Sequence, residues 1–330
     1  MNDLAFRIKK RLQTTWHGFR LDCQFSGWYG LLRIMDELGG RAHLSALSDW
    51  ACERKDQWIL NYLEKKLTGV IDQYQSVSDA GSFVENAPIW VCWWTGEQDA
   101  PALVQQCIKS IRKNAGMHPV YMVDAKSYTK YLDIPDYIID KVNDGRMCIA
   151  NFSDYLRFSL LEKYGGLWLD ATIYCSAKIP EQYFQLPVFT AKSQPRKSHY
   201  ISKFRWTSFC MGGYKNHVFF RFFKSAMEQY WKTENQAIDY LLVDYMIETA
   251  YRHIAQVKTD LDSLPINNVH RDDLQAAMNA ALPAEKFDDA LVEDTVLYKL
   301  SWRETYSLKT IDGKESIYAG FLKSSDGNKK

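Results

Sequence analysis

The sequence predicts an α/β fold, a Rossmann-like and mainly parallel sheet flanked by helices over residues 87–330, preceded by a helical appendage and linker over 1–86. Three observations carry that reading. The first is Ile89 to Trp94 (IWVCWW), a continuous apolar run of strand length, as expected of a strand covered on both faces. The second is a helix and a strand directly after it. Asp99 and Pro101 are helix-start signals; Leu103, Val104, Cys107, Ile108 and Ile111 recur at helical spacing until Gly116; Val120 to Val123 (VYMV) is a second strand. Strand, helix, strand in that order is the unit of a parallel sheet. The third is Asn151 to Tyr164, a helix with a stripe of Phe152, Leu156, Leu160 and Tyr164, stopped by Gly165. Leu167 to Leu169 then reads as a third buried strand ending at Asp170.

The flanking elements are weaker signals. Trp50 to Leu67 reads as a helix, and Ser76 to Asn86 (SVSDAGSFVEN) as a polar linker. Pro187 to Ala191 suits a strand; His217 to Trp231 and Ala237 to His253 suit amphipathic helices. Thr295 to Trp302 and Ile317 to Leu322 read as C-terminal strands or an ordered tail. Phe6, Lys9, Lys10 and Arg11 open a short basic amphipathic stretch that suits either a solvated helix face or contact with anionic lipid.

Composition narrows the function. The 330 residues are 46% hydrophobic, enough for a well-buried core, and 41 Lys+Arg against 40 Asp+Glu leave a net charge of +1. So balanced a chain has no overall electrostatic attraction for nucleic acid, and no nucleic-acid partner is expected. The seven cysteines are scattered singly, with neither a Cys-x-x-Cys pair nor a Cys/His cluster at zinc spacing, which predicts free thiols in a reducing compartment. The N-terminus lacks the apolar centre of a secretory signal, and no run approaches the roughly 18 apolar residues of a membrane span. The expected location is cytoplasmic, free or peripheral at the inner face of the plasma membrane.

Candidate chemistry gathers at one rim. Asp154 and Arg157 are three apart on one helix and share a face opposite the apolar stripe. Asp170, at the carboxyl end of a buried strand, falls where open α/β sheets bind ligands. Carboxylates accept hydrogen bonds from sugar hydroxyls, and arginine neutralises phosphate. The same residues also fit a surface ion pair and a strand cap.

The string from Ser153 to Thr172 (SDYLRFSLLEKYGGLWLDAT) resembles the Ser-Asp-x-x-Arg, Tyr-Gly-Gly, Asp-x-Asp signature of glycosyltransferase family 32. From Ala87 to Phe321 the chain is similar to that family's bacterial branch, the capsular polysaccharide synthesis proteins. The resemblance implies a GT-A fold and a retaining hexosyltransferase. Its expected partners are a nucleotide-sugar donor and a glycan or lipid-linked glycan acceptor for a surface polysaccharide. Carried over residue by residue, it implies that Asp154 and Arg157 grip donor hydroxyls and that Asp170 is the first aspartate of Asp-x-Asp, handling donor and metal. Trp94 would stack on the nucleotide base, and Ser301-Trp302 would match the Ser-Trp pair of a C-terminal donor loop.

The chain departs from the pattern at two points. Thr172 replaces the second aspartate, and Tyr298-Lys299 stands where many members have a histidine before Ser-Trp. A hydroxyl is a poor substitute for a carboxylate on a hard cation. A divalent cation (Mn or Mg) would then rest on Asp170 and the donor diphosphate, or be absent, and Lys299 is either a solvated lysine or the cation that balances the leaving diphosphate. Three other readings stay open: an inactive nucleotide-sugar or glycan-binding subunit, a retaining glycoside hydrolase, and a structural domain with an incidental charged rim.

Overall fold

A computed structural model describes residues 21–41, 44–194, 198–283 and 286–324. The basic stretch at Phe6 to Arg11 lies outside them. The architecture is α/β and fits a Rossmann-like GT-A fold. A mixed five-stranded sheet is built from β1 (Ile89–Cys92), β2 (Val120–Val123), β3 (Gly166–Leu169), β5 (Val188–Thr190) and β6 (Cys210–Gly213), in the order β2-β1-β3-β6-β5. β2, β1 and β3 run parallel, while β6 pairs antiparallel with both β3 and the edge strand β5. A separate antiparallel pair joins β4 (Ile173–Cys175) to β7 (Leu297–Lys299), with Ile173 opposite Lys299.

The period-two geometry of strands divides the interior into two cores. Trp90 and Trp168 face one side. Their core includes residues of α2 (Ser45–Lys66), α5 (Asp136–Asn143), α6 (Ile149–Tyr164), α7 (Val218–Thr233) and α8 (Leu242–His253). Ile89, Val91, Leu167 and Leu169 face the other, against α4 (Ala102–Asn114), the β4–β7 pair and a C-terminal helix. Helices α1 (Gly27–Arg41), α2 and α3 (Thr68–Tyr74), ahead of the first strand, contribute Tyr29, Leu63 and Ile71 to the first of these cores. Tyr29 donates to the Ile238 carbonyl (2.5 Å) and Tyr245 to Asp56 (2.6 Å).

Several boundaries differ from the sequence expectation. β1 stops at Cys92, because Gly96, at φ 92°, donates back to the Trp93 carbonyl (2.9 Å) and turns the chain. The polar segment at 76–86 is stitched down: Ser82 and Lys215 exchange backbone hydrogen bonds, and Asp79 pairs with Arg221 at 2.7 Å. α8 begins only at Leu242, since Asp239 accepts from the Leu241 N–H (2.8 Å) in a preceding turn. The run Ile317 to Leu322 is helical, part of a C-terminal helix over Ile317–Lys323. Its β-branched and aromatic residues suggest a strand, yet Ser316 caps it through the Ala319 N–H (3.1 Å). Ile317 and Phe321, one turn apart, both enter the core.

The α6 to β3 corner requires glycine. Gly165 and Gly166 have φ of 70° and 95°, and a Cβ on Gly166 would overlap the Pro88 carbonyl that accepts the Leu167 N–H. Gly166→Ala should therefore cost several kcal/mol, or prevent folding. Gly145→Ala has a similar φ of 80° but open space around the added methyl, and should cost only about 1–2 kcal/mol. Urea denaturation of the two variants checks this; equal losses would show that φ alone, not the close approach of β1, selects the glycine.

Candidate functional site

The site is built at the carboxyl end of β3. Trp168 and Asp170 are two residues apart in extended chain and share the face covered by α6. Trp168 Nε1 donates to Asp170 Oδ1 at 2.9 Å. Arg157 spans two carboxylates, donating to Asp154 Oδ1 at 2.8 Å and to Asp170 Oδ1 at 3.2 Å. Its guanidinium lies over the Trp168 indole, 5.0 Å from the centroid. From the other side, Lys299 Nζ donates to Asp170 Oδ2 at 2.8 Å and to Thr172 Oγ1 at 2.7 Å.

Local structure explains the convergence. The chain turns directly after β3, with the Ile173 N–H on the Asp170 carbonyl at 2.8 Å. β4 then pairs with β7 so that Lys299 lies opposite Ile173, and Leu300 N–H donates to the Thr172 carbonyl at 3.0 Å. α6 is buried almost all round, so its polar face meets protein rather than solvent. The Asp154 and Arg157 side chains are 11% and 5% exposed, against 28% and 27% for those of Asp170 and Lys299. The network thus runs from a buried end to an open one, and the Asp154–Arg157 pair is not a surface ion pair.

Electrostatics follow that gradient. Burial pushes the Asp154 carboxyl up to about 7; Arg157 opposes the rise, and the charges of Asp170 and Asp244 add to it. Asp170 is also desolvated, but the charges of Lys299 and Arg157 and hydrogen bonds from Lys299 and Trp168 outweigh burial and hold it below the usual carboxylate range. Neighbouring carboxylates pushed in opposite directions are characteristic of functional sites.

The sequence-predicted residues fall into three groups. Asp154, Arg157, Asp170, Thr172 and Lys299 form one connected network. Ser301 and Trp302 leave the end of β7: Ser301 N–H donates to Gln275 (2.6 Å), and Trp302, 44% exposed, sets its ring edge-on to Trp93 at 5.7 Å. Trp94, half-buried, packs instead on Tyr128 and Phe152, the latter two residues before Asp154 on α6.

Four residues carried no readable signal. Trp168 was legible only as core. Phe209, whose carbonyl accepts the Asp170 N–H (2.9 Å), has the Lys299 ammonium 4.8 Å and the Arg271 guanidinium 5.4 Å from its ring centroid. Arg271, 6% exposed, has a buried Nη1 without a hydrogen-bond partner, and in sequence it reads as one charge in a solvated HRDD run. Asp244, in the first turn of α8, accepts from Trp206 Nε1 at 2.9 Å and interacts electrostatically with Arg157 and Asp154. In the basic segment from Lys192 to Arg205, two cations serve the fold: Lys192 donates to the Leu261 and Leu264 carbonyls, and Arg205 pairs with Glu248.

The donor set at Asp170 does not suit a resident divalent cation. Both oxygens of its one carboxylate already face cationic donors, and Thr172 adds only a hydroxyl bonded to the same ammonium.

A Rossmann-like α/β domain of the GT-A type, with a charged network at the carboxyl edge of its parallel strands, is the class that this fold and site define. The family model described as capsular polysaccharide synthesis protein matches residues 44–320, and the chain belongs to that family. The match includes the helices at 45–74 as well as the sheet. Polysaccharide synthesis is the process to which membership assigns it. No curated protein and no solved structure matches the chain. Among the described residues, no helix is long and apolar enough to cross a membrane, and all seven cysteines are free thiols.

The titration of Asp244 gives a test of this electrostatic arrangement. Burial raises its carboxyl to about 6 against 3.8 for the free side chain, with the Trp206 hydrogen bond and Arg157 opposing. A raised carboxyl binds its proton more tightly in the folded state. Its destabilising effect is therefore full above about pH 6 and relieved as pH falls toward 4. Asp244→Asn keeps an acceptor for Trp206 and removes the charge. Its melting temperature should exceed that of the native protein by a few degrees at pH 8, and the gap should close between pH 6 and 4. A pH-independent gap in a thermal-denaturation series would contradict the assignment.

Proposed function

We propose that the chain is a retaining glycosyltransferase that moves a hexose from a nucleotide sugar to a glycan or lipid-linked glycan acceptor during synthesis of a capsular or other surface polysaccharide. The observation that carries the reading is the network Asp154–Arg157–Asp170–Lys299–Thr172, graded from buried to open at the carboxyl edge of parallel strands. Family membership supports the process, and the resemblance to glycosyltransferase family 32 supplies the expected retention of configuration. The work would be done in the cytoplasm, where nucleotide sugars are the available donors.

Each residue then has a chemical task. Asp170, kept ionised, accepts a donor-sugar hydroxyl while Arg157 and Trp168 fix its orientation. An ammonium has three N–H donors, and two of Lys299's are committed to Asp170 and Thr172. The third is available to the diphosphate, whose charge grows as the glycosidic bond breaks. Arg271, also close to the Phe209 ring, adds a second cation. Trp94 supplies a ring for the nucleotide base and Trp302 an exposed one for the donor loop, with Ser301 at its hinge. In this arrangement the fixed cations replace a resident metal, and any Mn or Mg arrives with the donor diphosphate.

Turnover of a panel of UDP- and GDP-sugars by the purified protein tests the reading. Asp170→Asn should reduce turnover at least 100-fold with the fold intact, and Lys299→Ala by a comparable factor in kcat, as for removal of a fixed transition-state donor. Trp94→Ala should act mainly on KM. Chelation should leave donor binding measurable. Activity that EDTA abolishes and Lys299→Ala leaves unchanged would reject the metal-free arrangement. Donor binding without turnover would make the protein a nucleotide-sugar-binding subunit, the reading that Thr172 favours.

A further inference from the structure

We propose a second site, distinct from the Asp170 network: a thiophilic divalent cation of the zinc class held by Asp36, Cys52 and His199. Although no local spacing in the sequence links them, the fold brings one ligand atom from each to within 4.8 Å of one another. Asp36 comes from α1, Cys52 from α2, and His199 from the chain ahead of β6. Thiol, imidazole and carboxylate together are the donor set of zinc, not of magnesium or calcium.

The geometry goes beyond proximity. His199 Nδ1 lies 3.6 Å from Asp36 Oδ1. Two ligands at about 2.0–2.1 Å from a tetrahedral centre stand roughly 3.3 Å apart, so this pair needs little adjustment. The other ring nitrogen, Nε2, is 3.0 Å from Asp49 Oδ1. A carboxylate on the far nitrogen is how metal-binding histidines are oriented, with Nε2–H donating and Nδ1 left free to coordinate. Cys52 Sγ, now 3.9 Å from Asp56 and 3.7 Å from the His199 carbonyl, must swing inward to complete the set.

The surrounding charges favour a dication. Asp36, Asp49 and Asp56 converge there, with Glu53 on the adjoining cavity; of the cations, Lys203 and Arg252 line that cavity and the Lys55 ammonium is 3.1 Å from Asp36 Oδ2. A cation on Oδ1 leaves that contact in place. Ser48 Oγ holds the carboxylate from the side, donating to Oδ1 at 2.9 Å. Cys52, Asp49 and His199 also line a cavity of about 470 Å³, together with Glu53, Tyr200 and Arg252. Two of the three ligands, Cys52 and His199, thus border open space from which water or a ligand could complete a zinc site. On binding, the Cys52 S–H bond is replaced by an S–metal bond and its proton passes to solvent.

The test is titration of chelator-stripped, full-length protein with Co(II), followed by Zn(II). One equivalent of Co(II) should bind and give a thiolate-to-cobalt charge-transfer band with the intense visible bands of four-coordinate cobalt, and Zn(II) should bleach both. Cys52→Ser should remove the charge-transfer band. His199→Ala, at a half-exposed position that leaves folding intact, should weaken binding at least tenfold, and Asp49→Asn by about 10–100-fold through loss of the orienting carboxylate. Zn(II) should raise the melting temperature of the native protein but not of His199→Ala. Failure to bind, a cobalt spectrum without a thiolate band, or a band that survives Cys52→Ser would overturn the proposal.

Discussion

The structure depends on how the Asp170 carboxylate is shared. One oxygen takes Arg157 and Trp168, the other takes Lys299, so α6, β3 and β7 meet at a single group. Deleting its enclosed partner Arg157 should cost about 3–5 kcal/mol, because uncompensated carboxylate charge stays behind. The pairing therefore fixes the relation of three elements far apart in sequence. It also explains why Asp170, although desolvated, stays ionised while Asp154, which shares Arg157, does not hold its charge as firmly.

The backbone makes that sharing possible. Two glycines at the α6–β3 corner let β3 lie against β1 without a residue in between, which sets Asp170 at the sheet's edge. The chain then leaves the sheet immediately, and the short β4–β7 pair carries Lys299 back across it. Were β3 longer by two residues, Thr172 would continue the strand and the lysine would have no turn to close on. The early end of the strand is thus a positional requirement of the site.

What the sequence disclosed and what it hid divide along physical lines. The strands Ile89–Cys92, Val120–Val123 and Gly166–Leu169 were legible, apart from their ends, because apolar runs too short for helices lie between helical periods, although Val120–Val123 proves to be an edge strand with Tyr121 exposed. Asp154, Arg157, Asp170 and Thr172 were legible because one string spans them. Lys299 was legible only as a substitution in a pattern, and its position on Asp170 came from strand pairing across 129 residues. Asp244, Phe209 and Arg271 were illegible for the same reason in stronger form: an acid in a helix's first turn and an arginine beside aspartates look like ordinary solvated charges. The helix at Ile317–Lys323 was hidden by composition, since its aromatic and β-branched residues favour strands until a serine cap and a buried i,i+4 pair decide otherwise. The Cys52–His199 approach had no local spacing to reveal it.

The gradient of burial along the network shapes the response to any anionic ligand. Asp154 and Arg157 are enclosed, so their charges feel weak screening, whereas Lys299 and Asp170 border the cleft. An anion that takes the third N–H of Lys299 shares its charge with Asp170 and weakens the largest attraction now holding that carboxylate ionised. Arg157 then becomes the principal counter-charge to Asp170. The guanidinium that touches both carboxylates links the open end of the network to the closed one. A solvated lysine facing an exposed aspartate would transmit nothing of the kind, because water would supply the missing charge at each step.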